Sequence, residues 1–226
     1  MPALQIPKLV NGDKLSRAEF ERRYRAMPNV KKAELLEGVV YKPSPVSFDR
    51  HAKPHANLMT WLGFYQAMTS GVLLGDNGTV RLDLDNEPQP DAFLFIENGE
   101  QAYIGEDGYV EGAPELAAEI SASSVSYDLH VKLDVYRRSG VQEYLVWRVD
   151  DEAFDWFVLR EGRYERLKPT DGILKSPTLP GLELDEEALL NGDMRKVLNV
   201  LQEGVGSKEH EAFVESLEAR ARPSLK

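Results

Sequence analysis

The 226-residue chain contains no cysteine. This excludes a disulfide framework and any thiolate zinc site. No apolar run approaches the roughly 20 residues that a membrane-spanning helix needs. The start, MPALQIPKLVNG, lacks the basic and apolar regions of a signal peptide. A cytoplasmic protein with no membrane partner is expected. Positive charge is also short, with 27 Lys and Arg against 38 Asp and Glu and a formal net charge of -11. A surface that grips nucleic acid by charge alone is therefore not expected, because Lys and Arg on phosphates supply most non-specific affinity.

Several signatures are missing. There is no GxxxxGK[ST], no GxGxxG after a strand and no GxSxG, which removes the P-loop, dinucleotide and hydrolase-elbow readings. HExxH is absent too. His51-Ala52-Lys53-Pro54-His55 sets two histidines four apart, but Pro54 disturbs helical spacing. Hydrogen bonding or structure is the plainer role for His51 and His55, with phosphate contact or proton shuttling as the functional one. Ser121, Ser123, Ser124 and Ser126 have no obvious histidine to activate them. They read as shaping a turn and capping a helix that starts near Tyr127. His130 and His210 read as solvent residues.

What is present is the patterning of one domain with elaborations, residues 1–192, followed by a helical extension, 193–226. Ser16 and Glu19 suggest a capping box, with Leu15 and Phe20 placed as a hydrophobic staple. Two strand pieces flank Glu37-Gly38, and Pro43-Ser44-Pro45 breaks the pattern. A helix is expected from about Pro54 to Met68, with Leu58, Trp61, Leu62 and Tyr65 on one face. Val80 to Leu84 alternates as a half-buried strand, and Ala92 to Ile96 is apolar on both faces, as in a central strand. Glu97 to Gly112 reads as a loop or short excursion. Gly140 is placed as a helix C-cap, Tyr144 to Val149 as a buried strand, and Ala153–Leu159 with Arg163–Leu167 as a hairpin. Asp185 is expected to cap a helix through Leu190. Two helices follow, separated by Gly204-Val205-Gly206. The narrow apolar stripe of the last suits docking on its own domain, or else a homodimer contact. The order predicts an α/β (α+β) fold, a mixed central sheet flanked by helices, with an added antiparallel hairpin and C-terminal helices.

The chemistry centres on Pro114 to Asp150, a strand, a helix and a second strand. At about 100° per residue, Leu129, Val131, Leu133, Val135 and Tyr136 spread over one broad helix face, with Lys132 at its middle and Asp128 one turn behind. A lone buried ammonium is costly, so Lys132 needs carboxylates to meet. Alternation in the preceding strand puts Glu115, Ala117, Glu119 and Ser121 on one face. Asp91 opens the buried strand after Pro90, and Glu34 or Glu37 belongs to an early strand. Hard divalent cations take oxygen ligands of this kind, and a nearby lysine can orient water or meet developing charge. The plainer readings are a turn cap for Asp91, a solvent-face acid for Glu119, and an i, i+4 pair with Asp128 for Lys132.

With these residues in view, the chain resembles the Uma family of putative restriction endonucleases, in the PD-(D/E)xK nuclease-like superfamily. The matching pieces are Ala33 to Gly38, Ser44-Pro45 to His55, Pro90-Asp91, Pro114 to Glu119, Asp128-x-x-x-Lys132-x-x-x-Tyr136 and Gly140-Val141-x-Glu143-Tyr144. They span roughly residues 15 to 190. The resemblance implies a restriction-endonuclease-like core and Mg²⁺-assisted hydrolysis of DNA phosphodiesters, with Mn²⁺ as a substitute ion. It maps Asp91 and Glu119 to metal ligands, Lys132 to the catalytic lysine and Glu34 to a further acid. Glu37, His51, His55 and Ser121 are supporting candidates. The superfamily lysine usually lies two residues after the second acid, where this chain has Ser121, so Lys132 would reach in from the helix. The alternative function is a catalytically inactive interaction protein on the same fold.

Overall fold

The computed structural model describes residues 6–43, 47–122 and 125–221, without the side chain of Ser126. The expectations for Ser44-Pro45, Ser123, Ser124 and the Ser126 side chain lie outside the described residues. Helix α1 (Arg17–Arg25) leads to the hairpin of β1 (Glu34–Leu36) and β2 (Val39–Tyr41). A π turn (Phe48–Ala52) runs into α2 (Lys53–Met68), and then come β3 (Val72–Asp76), β4 (Val80–Arg81), β5 (Ala92–Ile96), β6 (Ala102–Ile104), β7 (Val110–Gly112) and β8 (Leu116–Ser121). The next helix is built of α3 (Val125–Tyr127), a second π turn (Asp128–Lys132) and α4 (Leu133–Ser139). After it come β9 (Glu143–Arg148), β10 (Ala153–Arg160), β11 (Arg163–Arg166), β12 (Ile173–Lys175) and β13 (Glu183–Asp185), then α5 (Glu186–Leu190), α6 (Met194–Val205) and α7 (Lys208–Ala221). No helix among the described residues is long and apolar enough to cross a membrane.

The central sheet is six-stranded, in the order β11-β10-β9-β8-β5-β3. Only β8 and β9 run parallel, and the other pairs are antiparallel. A parallel pair needs a crossover, and α3 to α4 supply it. Gly140 ends the crossover in the left-handed conformation (φ 88°), where glycine carries no Cβ penalty. On one sheet face Leu58, Trp61, Leu62 and Tyr65 of α2 pack with Leu94, Ile120, Trp147 and Trp156. Val197 and Leu201 of α6 and Leu217 of α7 join the same core. The other face holds Ala117, Tyr136, Tyr144 and Val146 under the crossover helix. Each such side chain contributes about 1.5–3 kcal/mol of burial.

Four expectations are corrected. The strand expected to Leu84 ends at Arg81, because Asp83 Oδ1 accepts from the Asp85 N–H and from Asn86 Nδ2, at 2.8 and 2.9 Å, and turns the chain. Glu97 to Gly112 is not a loop but contains the β6–β7 hairpin, which β4 joins in a three-stranded sheet. Ser16 does cap α1, accepting from the Glu19 N–H at 3.4 Å. The Glu19 carboxylate, however, turns to Arg22 and Arg23 instead of closing a capping box. His210 is buried rather than solvated, with Nε2 2.9 Å from Thr69 Oγ1.

Two buried acids bear on stability in opposite ways, one as a tie between elements and one as a carboxyl that resists ionisation. Glu143 accepts from Ser176 Oγ (2.6 Å), the Thr178 N–H (2.9 Å) and Trp156 Nε1 (2.6 Å), tying β9 and β10 to the segment before β13. Removing a buried acceptor leaves its donors unsatisfied. Glu143→Ala is expected to lose about 1–3 kcal/mol for each donor left unpaired, read by urea unfolding, whereas Glu143→Gln, which keeps an acceptor oxygen, loses less.

Glu87 lies beside Arg81, which donates to Asp107 at 2.8 Å and Glu111 at 2.9 Å. Burial first, and then Glu21, raise the Glu87 carboxyl against the pull of Arg81. A carboxyl raised in the folded state contributes stability below its unfolded pKa and loses it as pH rises through the folded value. The melting temperature should fall between about pH 5 and about pH 9, with a flatter profile for Glu87→Gln.

Candidate active site

Strand register creates the site. Pairing of β5 with β8 sets Ala92 against Ala118 and Phe93 against Ala117. Carried one residue further, the register sets Asp91 against Glu119, and opposed residues of antiparallel strands share a face. The Ile120 N–H fixes the approach by donating to Asp91 Oδ2 at 2.8 Å. β1 reaches the same place because Leu35 and Glu87 exchange backbone hydrogen bonds of 3.1 and 2.7 Å. The Gln89 N–H then donates to Glu34 Oε1 at 2.8 Å.

The crossover helix brings the cation. Its π turn admits an extra residue per turn, and both Asp128 and Lys132 are buried there. The Tyr144 hydroxyl donates to the Asp128 carbonyl at 3.1 Å and fixes the turn against β9. Lys132 Nζ lies 2.7 Å from Glu119 Oε1 and 2.8 Å from Glu34 Oε1. The Tyr136 hydroxyl, one turn on, donates to the same Glu119 oxygen at 3.1 Å. On the outer side, Lys32 Nζ is 2.9 Å from Asp91 Oδ1 and His51 Nε2 is 3.3 Å from Asp91 Oδ2. His55 Nε2 lies 3.0 Å from the Asp91 carbonyl oxygen.

The electrostatics are unequal. Burial alone would raise the Asp91 carboxyl, but His51, Lys32 and the Ile120 N–H outweigh it and hold Asp91 well below the usual carboxylate range. Glu119 goes the other way, raised by burial and by Asp91, Asp128 and Glu34 beyond what Lys132 offsets. Lys132 would be lowered by burial, yet Glu119 and Glu34 dominate and keep it charged. Glu34, Asp91, Glu119 and Asp128 thus face the ammoniums of Lys32 and Lys132, an excess of negative charge.

Asp91, Glu119, Lys132 and Glu34 therefore gather at one point, with His51 and His55 beside Asp91. Ser121 is buried at the end of β8, two residues past Glu119. Glu37 is elsewhere, on the β1–β2 turn, paired with Arg138 at the surface. Lys32 was not expected; it lies outside β1, two residues before Glu34. The four central side chains are buried, with Lys32 and His51 partly exposed at the edge. Two surface hollows of about 520 Å³, one beside Glu37 and Arg138 and one beside Met68 and His210, do not reach the cluster. Among the described residues no three His, Asp or Glu side chains form a ready metal cage.

The sequence model of the Uma2 family, described as "Putative restriction endonuclease", matches residues 17–187. The chain belongs to the Uma2 family. The crystal structure of a putative nuclease belonging to DUF820 from Anabaena variabilis superposes with a TM-score of 0.57 at 14% identity. The match covers 75% of this chain and 96% of that one. No curated protein matches. At that identity the likeness establishes the fold alone, a mixed sheet between helices, for this Uma2 chain.

Removing Lys132 tests the cluster's energetics. Lys132→Met leaves Glu119 and Glu34 without their shared cation, and about 3–5 kcal/mol should be lost in urea unfolding. The deficit should shrink as pH falls, because the raised Glu119 then becomes neutral in the folded variant.

Proposed function

We propose that this Uma2-family chain is a magnesium-dependent endonuclease that hydrolyses phosphodiester bonds of DNA, with manganese as a substitute ion. The supporting observation is the meeting of two strand-end carboxylates, Asp91 and Glu119, with a buried charged lysine, Lys132, in a chain of this family. In this reading Asp91 and Glu119 hold the ion, Lys132 orients water and meets charge building on the phosphate, and Glu34 is the supporting acid. His51, His55 and Ser121 lie around them. The absence of cysteine agrees with a cytosolic home.

The donor chemistry fits a hard cation. Magnesium usually takes one or two carboxylates and keeps several waters, so a complete protein cage is not required. Glu119 is raised by burial first and then by Asp91, Asp128 and Glu34, and a cation would relieve the part due to those acids. A bound divalent ion supplies charge that stabilises the transferring phosphoryl oxygens. The chain's own part is positional. Glu119 and Glu34 fix the Lys132 ammonium from two sides, Tyr136 fixes Glu119, and the Ile120 N–H fixes Asp91.

The alternative is a non-catalytic interaction protein on the nuclease scaffold, assembled as a homodimer. The observation that favours it is closure: no member of the Glu34, Asp91, Glu119 and Lys132 group is more than 4% exposed. Plasmid cleavage decides between the two. Burial makes Lys132→Ala a poor probe, and the near-isosteric Asp91→Asn and Glu119→Gln are better. Each should cut Mg²⁺-dependent cleavage by about a hundredfold or more, as expected when several kcal/mol of charge stabilisation is lost. Asp91→Asn gives up the pairing with Lys32 and His51 and should melt below wild type, so cleavage is compared at a temperature at which each variant is folded. Wild-type protein that neither cleaves nor gains thermal stability with Mg²⁺ or Mn²⁺ would leave the scaffold reading.

A further inference from the structure

Lys32 has no part in the reading above, yet its ammonium sits on one oxygen of Asp91. The two oxygens of Asp91 are held differently. Oδ2 takes the Ile120 backbone N–H and faces His51, so releasing it would orphan a buried main-chain donor. Oδ1 is met by Lys32 alone among the contacts described, on a flexible four-carbon stem. Lys32 is also within 3.3 Å of Asn77 Oδ1, so it already has a second acceptor. The Asn77 N–H donates to the Asp91 carbonyl at 3.2 Å, which keeps that acceptor in place.

Access runs past the same residue. The Lys32 and His51 side chains are 23% and 19% exposed, against 4% for Asp91. An ion approaching Asp91 would meet the Lys32 ammonium as a like charge on the oxygen it can most easily take. A displaced ammonium stays at the mouth, tethered beside Asn77, where a phosphate arriving at Asp91 would pass. Lysine serves phosphate as a mobile point charge.

We propose that Lys32 is a substrate-positioning residue that rests on Asp91, yields Oδ1 to a divalent cation, and then contacts a phosphate of the DNA strand. The inference rests on the metal reading of Asp91 and Glu119, and it assigns Lys32 two separable effects. It competes with the ion, and it helps hold the substrate.

The test compares wild type, Lys32→Met and Lys32→Arg by Mn²⁺ titration and by duplex DNA binding over a salt series in Ca²⁺. Lys32→Met should bind Mn²⁺ about tenfold more tightly, a difference of about 1.4 kcal/mol, while Lys32→Arg stays near wild type. In the same variant duplex binding should weaken, and the slope of log affinity against log salt should fall by about one. Equal or weaker Mn²⁺ binding by Lys32→Met, with wild type binding the ion, would overturn the competition and leave the metal reading intact. An unchanged salt slope, or a wild type without measurable duplex binding, would overturn the phosphate contact. No Mn²⁺ binding by wild type would remove the metal reading and this proposal together. Melting in EDTA shows whether the variants fold, and Lys32→Gln replaces Lys32→Met if the latter does not.

Discussion

One ammonium shared by two carboxylates holds the centre of this molecule together. Lys132 is closed off from solvent, and its ammonium tolerates burial because Glu34 and Glu119 meet it from two sides. The three residues are far apart in sequence: Glu34 on β1, Glu119 on β8 and Lys132 in a helix. The clasp therefore fixes the early hairpin, the central sheet and the crossover helix relative to one another. An apolar contact in the same position would have joined them without specifying direction. Here the Tyr136 hydroxyl, the Gln89 N–H and the Ile120 N–H each add a directional bond around the same group.

Much of this was legible in the sequence where the signal was periodic. The apolar face of the crossover helix could be read from Val135 and Tyr136, and a charge at its middle had to find acids. Alternation in Leu116 to Ser121 put Glu119 on the face that could receive it. What could not be read was register. Nothing local in Pro90-Asp91 says that Asp91 stands opposite Glu119 rather than Ser121, because pairing is set by long-range fit between strands. Lys32 was hidden for a different reason: it precedes a strand of only three residues, too short for alternation to be visible. His210 misled because it lies in a polar helix, and only the packing of α7 against Thr69 and Tyr65 buries it.

The places where local rules failed are instructive. The π turn at Asp128 to Lys132 departs from the regular helix that the wheel assumed, yet Asp128 stays one turn behind Lys132, as the wheel had it, and is buried with it. That adds a fourth acid to a group already crowded with them. A fold selected only for stability would gain by replacing a buried charge group of this size with apolar side chains. Its place at the meeting point of β1, β5, β8 and the crossover helix is what the proposed metal reading would use, because carboxyls shifted by burial and neighbouring charge cluster at functional sites.

The net charge of -11 is a weaker argument against a polyanionic substrate than it first looks. Many of the acids are turned inward or already matched: Glu34 and Glu119 by Lys132, Asp107 and Glu111 by Arg81, and Glu143 by neutral donors. Residues 31–55, which supply Lys32, His51 and His55 to the edge of the site, carry five Lys and Arg against three acids. One of those acids, Glu34, faces inward. Field at a site follows the nearest charges within about a Debye length, roughly 8–10 Å in physiological salt, and not the sum over the chain. At the edge of the site Lys32 sets a positive charge beside Asp91, against nearby acids that include the exposed Asp76 next to His55, so local pairing and not the chain total decides what a phosphodiester would meet there.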